Sequence, residues 1–338
     1  MPTAPRFLIV KTSSMGDVVH ALPAVSDIAR AVPGAQIDWV VEEGFAALPR
    51  LHPNVARVLP IALRRWRRTW WRPSTWREYL AARTTVATTR YDRIIDCQGL
   101  VKSAWVARWG DGPVYGPDRT SAREPFAARL YDHPLFVARP LHAIERNRRL
   151  VAGALDRQVE GPPQFGLRVP SLTQRDLLAL AAGGPFAVLL TNASRATKLW
   201  PDDAWRAVEA RLAQQGLRSV LFWGSDEEAV ATRARAHGMR AAWVAPRIGL
   251  DQLVACLARA RVVVGLDTGL SHLAAAVAAP TVGVFCDYDP ALVGITGPAP
   301  CISLGSASGG PPAAEVIAAA EHVLAATAAD GVLRGATA

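Results

Sequence analysis

Short apolar runs alternate with helical periodicity through the first half of the chain. The run RFLIV at residues 6–10 is followed by apolar side chains spaced three and four apart, which predict a helix over residues 17–32. Further apolar runs occur at residues 36–42, 55–61 and 93–99. Strands that alternate with helices in this way are typical of a parallel, doubly wound α/β sheet.

The second half repeats this alternation after a segment rich in proline and glycine, EGPPQFGLRVP. Apolar runs that predict strands begin at residues 186, 218, 241, 262 and 281, with helical periodicity between them. We therefore predict two Rossmann-like α/β domains facing each other across a cleft, at residues 1–165 and 166–325. Residues 326–338 are expected to fray. Whether the last helix, over residues 313–326, packs back on the first domain is left open.

Neither a membrane span nor a signal peptide is expected. The longest apolar tract, over residues 262–286, is interrupted by Asp267, His272 and Pro280, and the apolar run near the start is shorter than a signal sequence. The cysteines are scattered without metal-ligand spacing, which favours reduced thiols in a cytoplasmic protein.

Basic residues exceed acidic ones and give a formal net charge of +9 at pH 7. The excess is densest over residues 57–77, where arginines alternate with Trp66, Trp70, Trp71 and Trp76. Guanidinium groups pair with phosphate or carboxylate, and tryptophan favours the membrane interface, so this segment predicts a polyanionic partner. Nucleic-acid binding and an ordinary solvated face are the alternatives.

An acid, Asp17, stands where the first predicted strand gives way to the first predicted helix, in the stretch KTSSMGDVVHALPAV. Loops at the carboxyl ends of parallel strands are where open α/β sheets bind ligands, so Asp17 is a candidate active-site residue. An acid in the first turn also stabilises a helix, and a cap without further function is the alternative interpretation.

The second half contains a similar junction. A buried strand ends at Asp267, and a Thr-Gly turn leads into the helix that carries His272. The amide groups near Thr268, Gly269 and Leu270 predict an anion site that suits a diphosphate and is reinforced by the helix dipole. A plain strand-to-helix junction explains the same pattern.

Two further loops of the second half carry polar candidates. In TNASRATKLWP, Ser194 and Lys198 are placed to bind the same phosphates. In WGSDEEAV, Glu227 and Glu228 follow a predicted strand and offer acceptors for ribose hydroxyls, unless they serve only as acids at a helix N-terminus.

Several motifs together resemble the ADP-heptose:lipopolysaccharide heptosyltransferases, glycosyltransferase family 9. They are LIVKTSSMGDVVHALPAVSDI, SAREPFAARLYD, HAIERNRRL, the Lys198 loop and VGLDTGLSHLAAA, in matching order over nearly the whole chain. The first motif and AREP are most similar to the branch that adds the first heptose. The resemblance implies the GT-B fold, with acceptor bound by the first domain and donor by the second, and inversion in a single displacement without a metal or other cofactor.

The resemblance also implies roles for individual residues. Asp17 matches the base that deprotonates the attacking hydroxyl of Kdo, and Lys198 matches the lysine that stabilises the departing ADP. Including the candidates above, the expected donor contacts are Ser194, Lys198, Glu228, Ile248, Asp267, Thr268, Gly269, Leu270 and His272. The expected acceptor contacts are Ser14, Gly16, Arg64, Arg65, Arg67, Arg68 and Arg123.

The chain departs from the family pattern after its last predicted strand. Family members usually have a loop of small residues such as GPTDP, where this chain has CDYDP at residues 286–290. Asp287 and Asp289 form an Asp-x-Asp pattern that binds divalent metals in unrelated glycosyltransferases. The proline-bounded turn and the charge of Lys198 argue against that use, and no metal site is expected.

The expected function is therefore transfer of L-glycero-D-manno-heptose from ADP-heptose to the Kdo region of Kdo2-lipid A, an inverting step in lipopolysaccharide inner-core synthesis. We expect a monomer that binds no nucleic acid and works peripherally on the cytoplasmic face of the inner membrane. The alternatives are the enzyme that adds the second heptose and a non-catalytic protein that binds anionic glycolipids.

Overall fold

The computed structural model describes residues 4–329. The chain divides into two compact units, and the division lies between Arg168 and Val169. This position is three residues beyond the predicted boundary at 165 and 166 and falls within the same proline-rich linker.

The first unit is built on a sheet of six parallel strands. They are β1 (Arg6–Val10), β2 (Gln36–Glu42), β3 (Val55–Ile61), β4 (Arg93–Asp96), β5 (Val114–Pro117) and β6 (His133–Leu135). Their order across the sheet is β3-β2-β1-β4-β5-β6. This is the Rossmann order, in which the chain reverses direction across the sheet between β1 and β4 and leaves a crevice at their carboxyl ends.

The second unit repeats this topology. Its parallel strands are β7 (Phe186–Leu190), β8 (Arg218–Leu221), β9 (Ala242–Val244), β10 (Val262–Leu266), β11 (Thr281–Phe285) and β12 (Cys301–Gly305). Their order is β12-β11-β10-β7-β8-β9, so the reversal lies between β7 and β10. Two parallel α/β sheets were predicted from the alternating pattern, and that prediction is confirmed.

Helices connect the strands of each unit. Those of the first unit are α1 (Met15–Ala31), α2 (Ala47–Arg50), α3 (Leu63–Arg68), α4 (Pro73–Ala87), α5 (Val101–Ala107) and α6 (Ala143–Ala154). Those of the second are α7 (Arg175–Ala182), α8 (Asp202–Gln214), α9 (Asp226–Ala236), α10 (Leu250–Leu257), α11 (Gly269–Ala276) and α12 (Ala313–Ala329). No helix within residues 4–329 combines the length and the apolarity needed to cross a bilayer.

Burial on both faces of the sheets explains why the central strands are continuously apolar. All five residues of β10 are buried, as are the last four of β1. Helix α12 packs on its own unit, where Val316 and Val323 join the core formed by β10, β11 and Trp205 of α8. Burial of each large apolar side chain contributes about 1.5–3 kcal/mol to the stability of the folded state. The resulting core holds the strands, and therefore their carboxyl ends, in fixed positions.

Several elements differ from the prediction. Helix α12 continues to Ala329, so residues 326–329 are helical rather than frayed, because this alanine-rich segment favours helix. The rest of the predicted frayed tail, residues 330–338, lies outside the described residues. The short strands β5, β6 and β12 were not predicted, since their few residues lack a distinct apolar alternation and pairing with neighbouring strands defines them.

Candidate active site

Asp17 lies in the first turn of α1, immediately after the loop that follows β1. Its Oδ2 accepts a hydrogen bond of 3.0 Å from the backbone N–H of Ser14, which precedes the helix. The capping interpretation of Asp17 is therefore correct for one of its carboxylate oxygens. The same loop also places Gly16 beside Asp17, and the loop occupies the crevice where the strand order reverses.

The other carboxylate oxygen of Asp17 faces two cations. Arg123 donates to Oδ1 at 2.8 Å from a segment 106 residues away in sequence. The Nζ of Lys11 lies 3.8 Å from the same oxygen. Because a helix cap needs neither cation, the arrangement indicates a second task for this carboxylate.

The loops after β1 and β4 are tied together, and this connection holds Lys11 in place. Lys11 donates from Nζ to the carbonyl oxygen of Cys97 at 2.7 Å. Thr12 donates from its backbone N–H and its hydroxyl to the side-chain oxygen of Gln98, at 2.8 and 2.7 Å. The ammonium group of Lys11 is therefore directed toward Asp17 by fixed backbone.

Burial and charge act in opposite directions on Asp17. Burial by itself would raise the pKa of the carboxyl group, but the positive charges of Lys11 and Arg123, with the Ser14 N–H, hold that pKa below its usual range. The pKa of Lys11 is lowered, mainly by burial. Asp17 is consequently ionised at neutral pH and available as a proton acceptor.

Asp17 borders a pocket whose other charged walls are basic. Lys11, Arg123 and Arg146 line it, together with polar side chains that include Gln98 and Asn147. The charge of these walls suits an anionic molecule that presents a hydroxyl group to the carboxylate. Of these residues, sequence reasoning identified Asp17 and Arg123 and missed the others.

Part of what was missed carried a recognisable signal. Lys11 follows the first apolar run and Gln98 lies near the end of the run over residues 93–99, so their position at carboxyl strand ends was visible in the sequence. Arg146 lies within α6, in the motif HAIERNRRL that contributes to the family resemblance, but helical periodicity alone does not separate it from other helical arginines.

The second unit brings together Lys198, Asp267 and His272, which we call the Lys198 cluster. Lys198 follows β7 and Asp267 follows β10, the two strands between which the order reverses. The Nζ of Lys198 contacts the Asp267 carboxylate and also donates to the backbone carbonyl oxygen of Asp267 at 2.8 Å. The Nε2 of His272 lies 3.4 Å from the other carboxylate oxygen.

The electrostatics of the Lys198 cluster keep Asp267 ionised. Burial would raise the pKa of its carboxyl group, but hydrogen bonds from His272 and Lys198 and the charge of Lys198 lower it overall. Thr268 precedes α11, and the amides of Gly269 and Leu270 lie in the first turn of that helix, where N–H groups have no acceptor within the helix. A lysine beside a helix N-terminus suits an anionic ligand such as a diphosphate.

Three other predicted donor residues lie on neighbouring loops at the carboxyl ends of the strands. Ser194 is exposed in the loop after β7. Glu228 lies in the first turn of α9 and accepts from the Gly224 N–H at 2.7 Å, which orders the loop after β8. Ile248 is half-buried in the loop after β9.

The arginine run lies on α3, beside the strand end of β2. Arg65 pairs with Glu43 and Glu78, at 3.0 and 2.7 Å, so its charge is already offset by two acids. Arg64 covers the ring of Phe45, while Arg67 and Arg68 are exposed. The four arginines of the run are therefore not equivalent toward an anionic partner, because the charge of Arg65 is already offset by Glu43 and Glu78.

The Asp-x-Asp pattern does not form a joint carboxylate site. Asp289 accepts from the backbone N–H of Ala291 at 2.9 Å and caps its own turn. Asp287 accepts from the Thr197 hydroxyl at 2.6 Å and lies 3.3 Å from Arg195. Within residues 4–329, no group of three or more His, Cys, Asp or Glu side chains is arranged to hold a metal ion.

Comparisons with known proteins agree on one family. The model of glycosyltransferase family 9 (heptosyltransferase) matches residues 80–306. Lipopolysaccharide heptosyltransferase 1 of Pseudomonas aeruginosa is 45% identical over 297 residues, which cover 86% of this chain and 81% of that protein.

Solved structures give the same result. E. coli heptosyltransferase WaaC with ADP matches with a TM-score of 0.84 and 37% identity, covering 94% of this chain and 99% of that one. The structure of the same E. coli enzyme with ADP-2-deoxy-2-fluoro heptose matches with a TM-score of 0.78 and 35% identity, covering 97% and 100%.

Proposed function

Because the chain belongs to glycosyltransferase family 9, the heptosyltransferases, we propose that it transfers L-glycero-D-manno-heptose from ADP-heptose to the Kdo region of Kdo2-lipid A. The chain is a glycosyltransferase, and the predicted α/β fold class of GT-B type is confirmed. The identity of 45% to a heptosyltransferase 1 favours addition of the first heptose over addition of the second.

One observation carries the assignment of the acceptor. Asp17 is an ionised carboxylate in a pocket whose other charged walls, Lys11, Arg123 and Arg146, are basic. The Kdo region carries carboxylates that these cations can pair with, and it carries hydroxyls that need a base. A protein that only bound anionic glycolipids would have no need of a partly buried acid among its cations.

In the proposed reaction Asp17 accepts the proton of the attacking Kdo hydroxyl. The new bond forms from that oxygen to the anomeric carbon, and the bond from that carbon to the diphosphate breaks, so ADP departs and the configuration inverts. Because the pKa of Asp17 is held low, it is a weak base toward a neutral hydroxyl. Proton transfer is therefore late, when bond formation has made the hydroxyl acidic.

Lys198 is assigned to the leaving group. As the diphosphate departs, negative charge grows on its oxygens, and the ammonium group stabilises that charge where it develops. Asp267 holds the ammonium group, and the amides at the start of α11 add further donors. We include the other predicted donor contacts, Ser194, Glu228 and Ile248, in the proposal on the basis of their loops.

The direct test of this function is ADP release from ADP-heptose, measured with and without Kdo2-lipid A. We expect release that requires the acceptor and that persists in the presence of a chelator, since the proposal assigns charge neutralisation to Lys198 and no role to a metal. Release with a heptosylated acceptor alone would instead identify the enzyme that adds the second heptose. Absence of any release from folded protein would favour a binding protein.

Arg123 provides a test of the assignment of Asp17 as the base. Removing the guanidinium group in Arg123→Gln takes away a hydrogen bond and a positive charge that lower the pKa of Asp17, while burial, which raises it, remains. The enzyme is active only when Asp17 is ionised. The acidic limb of the pH profile of kcat/KM should therefore move to higher pH in the variant. The measurement is a pH profile of ADP release.

Arg129→Gln is the matched control, because Arg129 lies on the same segment and is exposed against Phe126. Its acidic limb should coincide with that of the wild type. If the limb of Arg123→Gln does not move, Asp17 is not the group whose ionisation limits the rate.

We also propose that the enzyme works at the anionic surface of the inner membrane, as a monomer and without nucleic acid. Exposed apolar side chains form one surface of the first unit, the Trp70 face, consisting of Trp70, Trp71, Trp76, Leu80 and Trp105. Their exposed fractions are between 53% and 63%. Trp76 donates to the Trp70 carbonyl at 2.8 Å, and both Trp76 and Trp105 contact Tyr79, so the surface is continuous.

The charge around the Trp70 face complements an anionic bilayer. The segment that carries most of this face also carries exposed arginines, namely Arg67, Arg68, Arg72, Arg77 and Arg83. Glu78 is the only acid between residues 62 and 90, and its carboxylate already accepts hydrogen bonds from Arg65 and Trp66. Indole rings favour the headgroup region of a bilayer, and nearby arginines are attracted to anionic lipids. This combination is typical of a protein surface that binds at the membrane–water interface.

Removing two indoles should weaken membrane binding without weakening catalysis in solution. In Trp70→Ala/Trp71→Ala we expect partition onto phosphatidylglycerol vesicles to fall about 100-fold or more, since each of the two lost rings contributes about 1.5 kcal/mol or more. Activity on an acceptor without acyl chains should be unchanged. Sedimentation with vesicles and ADP release are the two measurements.

Phe136→Ala is the control for this experiment, because Phe136 is 73% exposed and lies outside the Trp70 face. Equal partition of the double variant and the wild type would contradict the membrane assignment. A wild-type dimer that becomes a monomer in the double variant, with no vesicle binding in either, would identify the face as a contact between copies of the chain.

A further inference from the structure

Asp287 connects two loops that flank β10. It lies just beyond β11, and its side chain is 17% exposed. One oxygen accepts from the Thr197 hydroxyl at 2.6 Å and lies 3.3 Å from the Nη2 of Arg195. Both partners belong to the loop after β7. Thr197 is 90 residues away from Asp287 in the sequence.

The segment that Asp287 holds is the one that carries Lys198. Residues Ala196–Lys198 form a single 3₁₀ turn, in which the Lys198 N–H donates to the Arg195 carbonyl at 3.1 Å. So short a turn has few hydrogen bonds of its own, and contacts from outside determine where it lies. Asp287 supplies two such contacts, to the residue before the turn and to the residue next to Lys198.

Asp287 is an unfavourable residue for stability alone. Its Oδ1 is buried and accepts no hydrogen bond from the described residues. A buried acceptor without a partner destabilises a folded protein, and such atoms are accordingly rare. Asp289, two residues further on, caps its own turn and does not share this arrangement, so the two acids of CDYDP have separate tasks.

From this geometry we propose that Asp287 is a positioning residue that holds the Arg195–Lys198 segment so that the Lys198 ammonium group meets the departing diphosphate. The position of Lys198 is determined at both ends. Asp267 holds the ammonium group, and Asp287 contacts the segment through the side chains of Thr197 and Arg195. The inference rests on the proposed function, because it names what maintains the geometry of that donor site.

The hydroxyl of Thr197 allows a test that leaves the acid in place. Thr197→Val keeps the shape of the side chain and removes the donor, whereas Thr197→Ser keeps the donor. We expect Thr197→Val to lower kcat about tenfold, the loss that corresponds to one hydrogen bond to a charged group, and to weaken ADP binding by a similar factor. The KM for ADP-heptose should change little, because its diphosphate carries less charge than that of ADP.

Thr197→Ser should restore both kcat and ADP affinity, and Asp287→Asn should resemble Thr197→Val. Asp289→Asn is the matched control and should leave both quantities at the wild-type level. ADP affinity is measured by calorimetry, which needs no acceptor and no turnover. The melting temperature checks that each variant is folded, and a lower fraction of folded enzyme would reduce kcat without changing the dissociation constant of ADP.

Two results would overturn the inference. If Thr197→Val binds ADP and turns over as the wild type does, the contact to Asp287 does not position Lys198. If both Thr197→Val and Thr197→Ser lose the same activity, the hydroxyl is irrelevant and packing is the cause. A wild type that binds no ADP would remove the donor assignment, and with it the site that Asp287 is proposed to organise.

Discussion

Replacing Asp17 by asparagine should lower kcat about 10²–10⁴-fold, the range that a positioned general base contributes. The amide is nearly isosteric with the carboxylate and can still accept from the Ser14 N–H, so the start of α1 should keep its cap. What the variant loses is a group able to take up the proton of the attacking hydroxyl. The measurement is single-turnover transfer from ADP-heptose to Kdo2-lipid A.

The controls for Asp17→Asn separate catalysis from helix stability. Asp176→Asn also removes an exposed acid from the first turn of a helix, α7, and should retain full activity. ADP affinity should be unchanged in Asp17→Asn, because the Lys198 cluster belongs to the other unit. Full turnover in Asp17→Asn would show that Asp17 is a cap and no more, and that another group accepts the proton.

The second large effect is expected at Lys198. In Lys198→Met the side chain keeps its length and loses its charge, and kcat should fall about 10²–10³-fold, as when one preorganised electrostatic donor is removed. ADP affinity should fall as well, since the ammonium group stabilises the same diphosphate in product and in transition state. Calorimetry with ADP and single-turnover transfer provide the two measurements.

Lys198→Met and Asp17→Asn should therefore differ in a diagnostic way. The Asp17 variant loses turnover and keeps ADP affinity, whereas the Lys198 variant loses both. Arg175→Met removes an exposed cation from α7 in the same unit as Lys198 and should change neither quantity. Unchanged ADP affinity and turnover in Lys198→Met would assign the neutralisation of the diphosphate to other groups, such as the amides of α11.

The predictable part of the site consists of residues in the segments that connect a strand to the following helix. Asp17, Lys198 and Asp267 were identified because each follows an apolar run and precedes a helical pattern, and the carboxyl ends of parallel strands are where ligands bind. That reasoning needs only the local order of elements. The same reasoning applies to Lys11, which directly follows the first strand but was not predicted to be a site residue.

Contacts between distant segments could not be predicted in the same way. Arg123 meets Asp17 across 106 residues, and Thr197 meets Asp287 across 90. Both contacts depend on which strands become neighbours. The same applies to Arg146, which lies on an ordinary helical segment and enters the pocket because of the way α6 packs on α1.

The amino-acid sequence by itself therefore determined the alternation of strands and helices, the division into two α/β units and the location of the principal acids and lysine in the segments that follow strands. These follow from local sterics and from burial on both faces of a parallel sheet, which leave their periodicity in the chain. Only the tertiary structure decided the short outer strands and the partners of each charged side chain. Strand order brings distant residues within hydrogen-bonding distance, and no local pattern encodes that order.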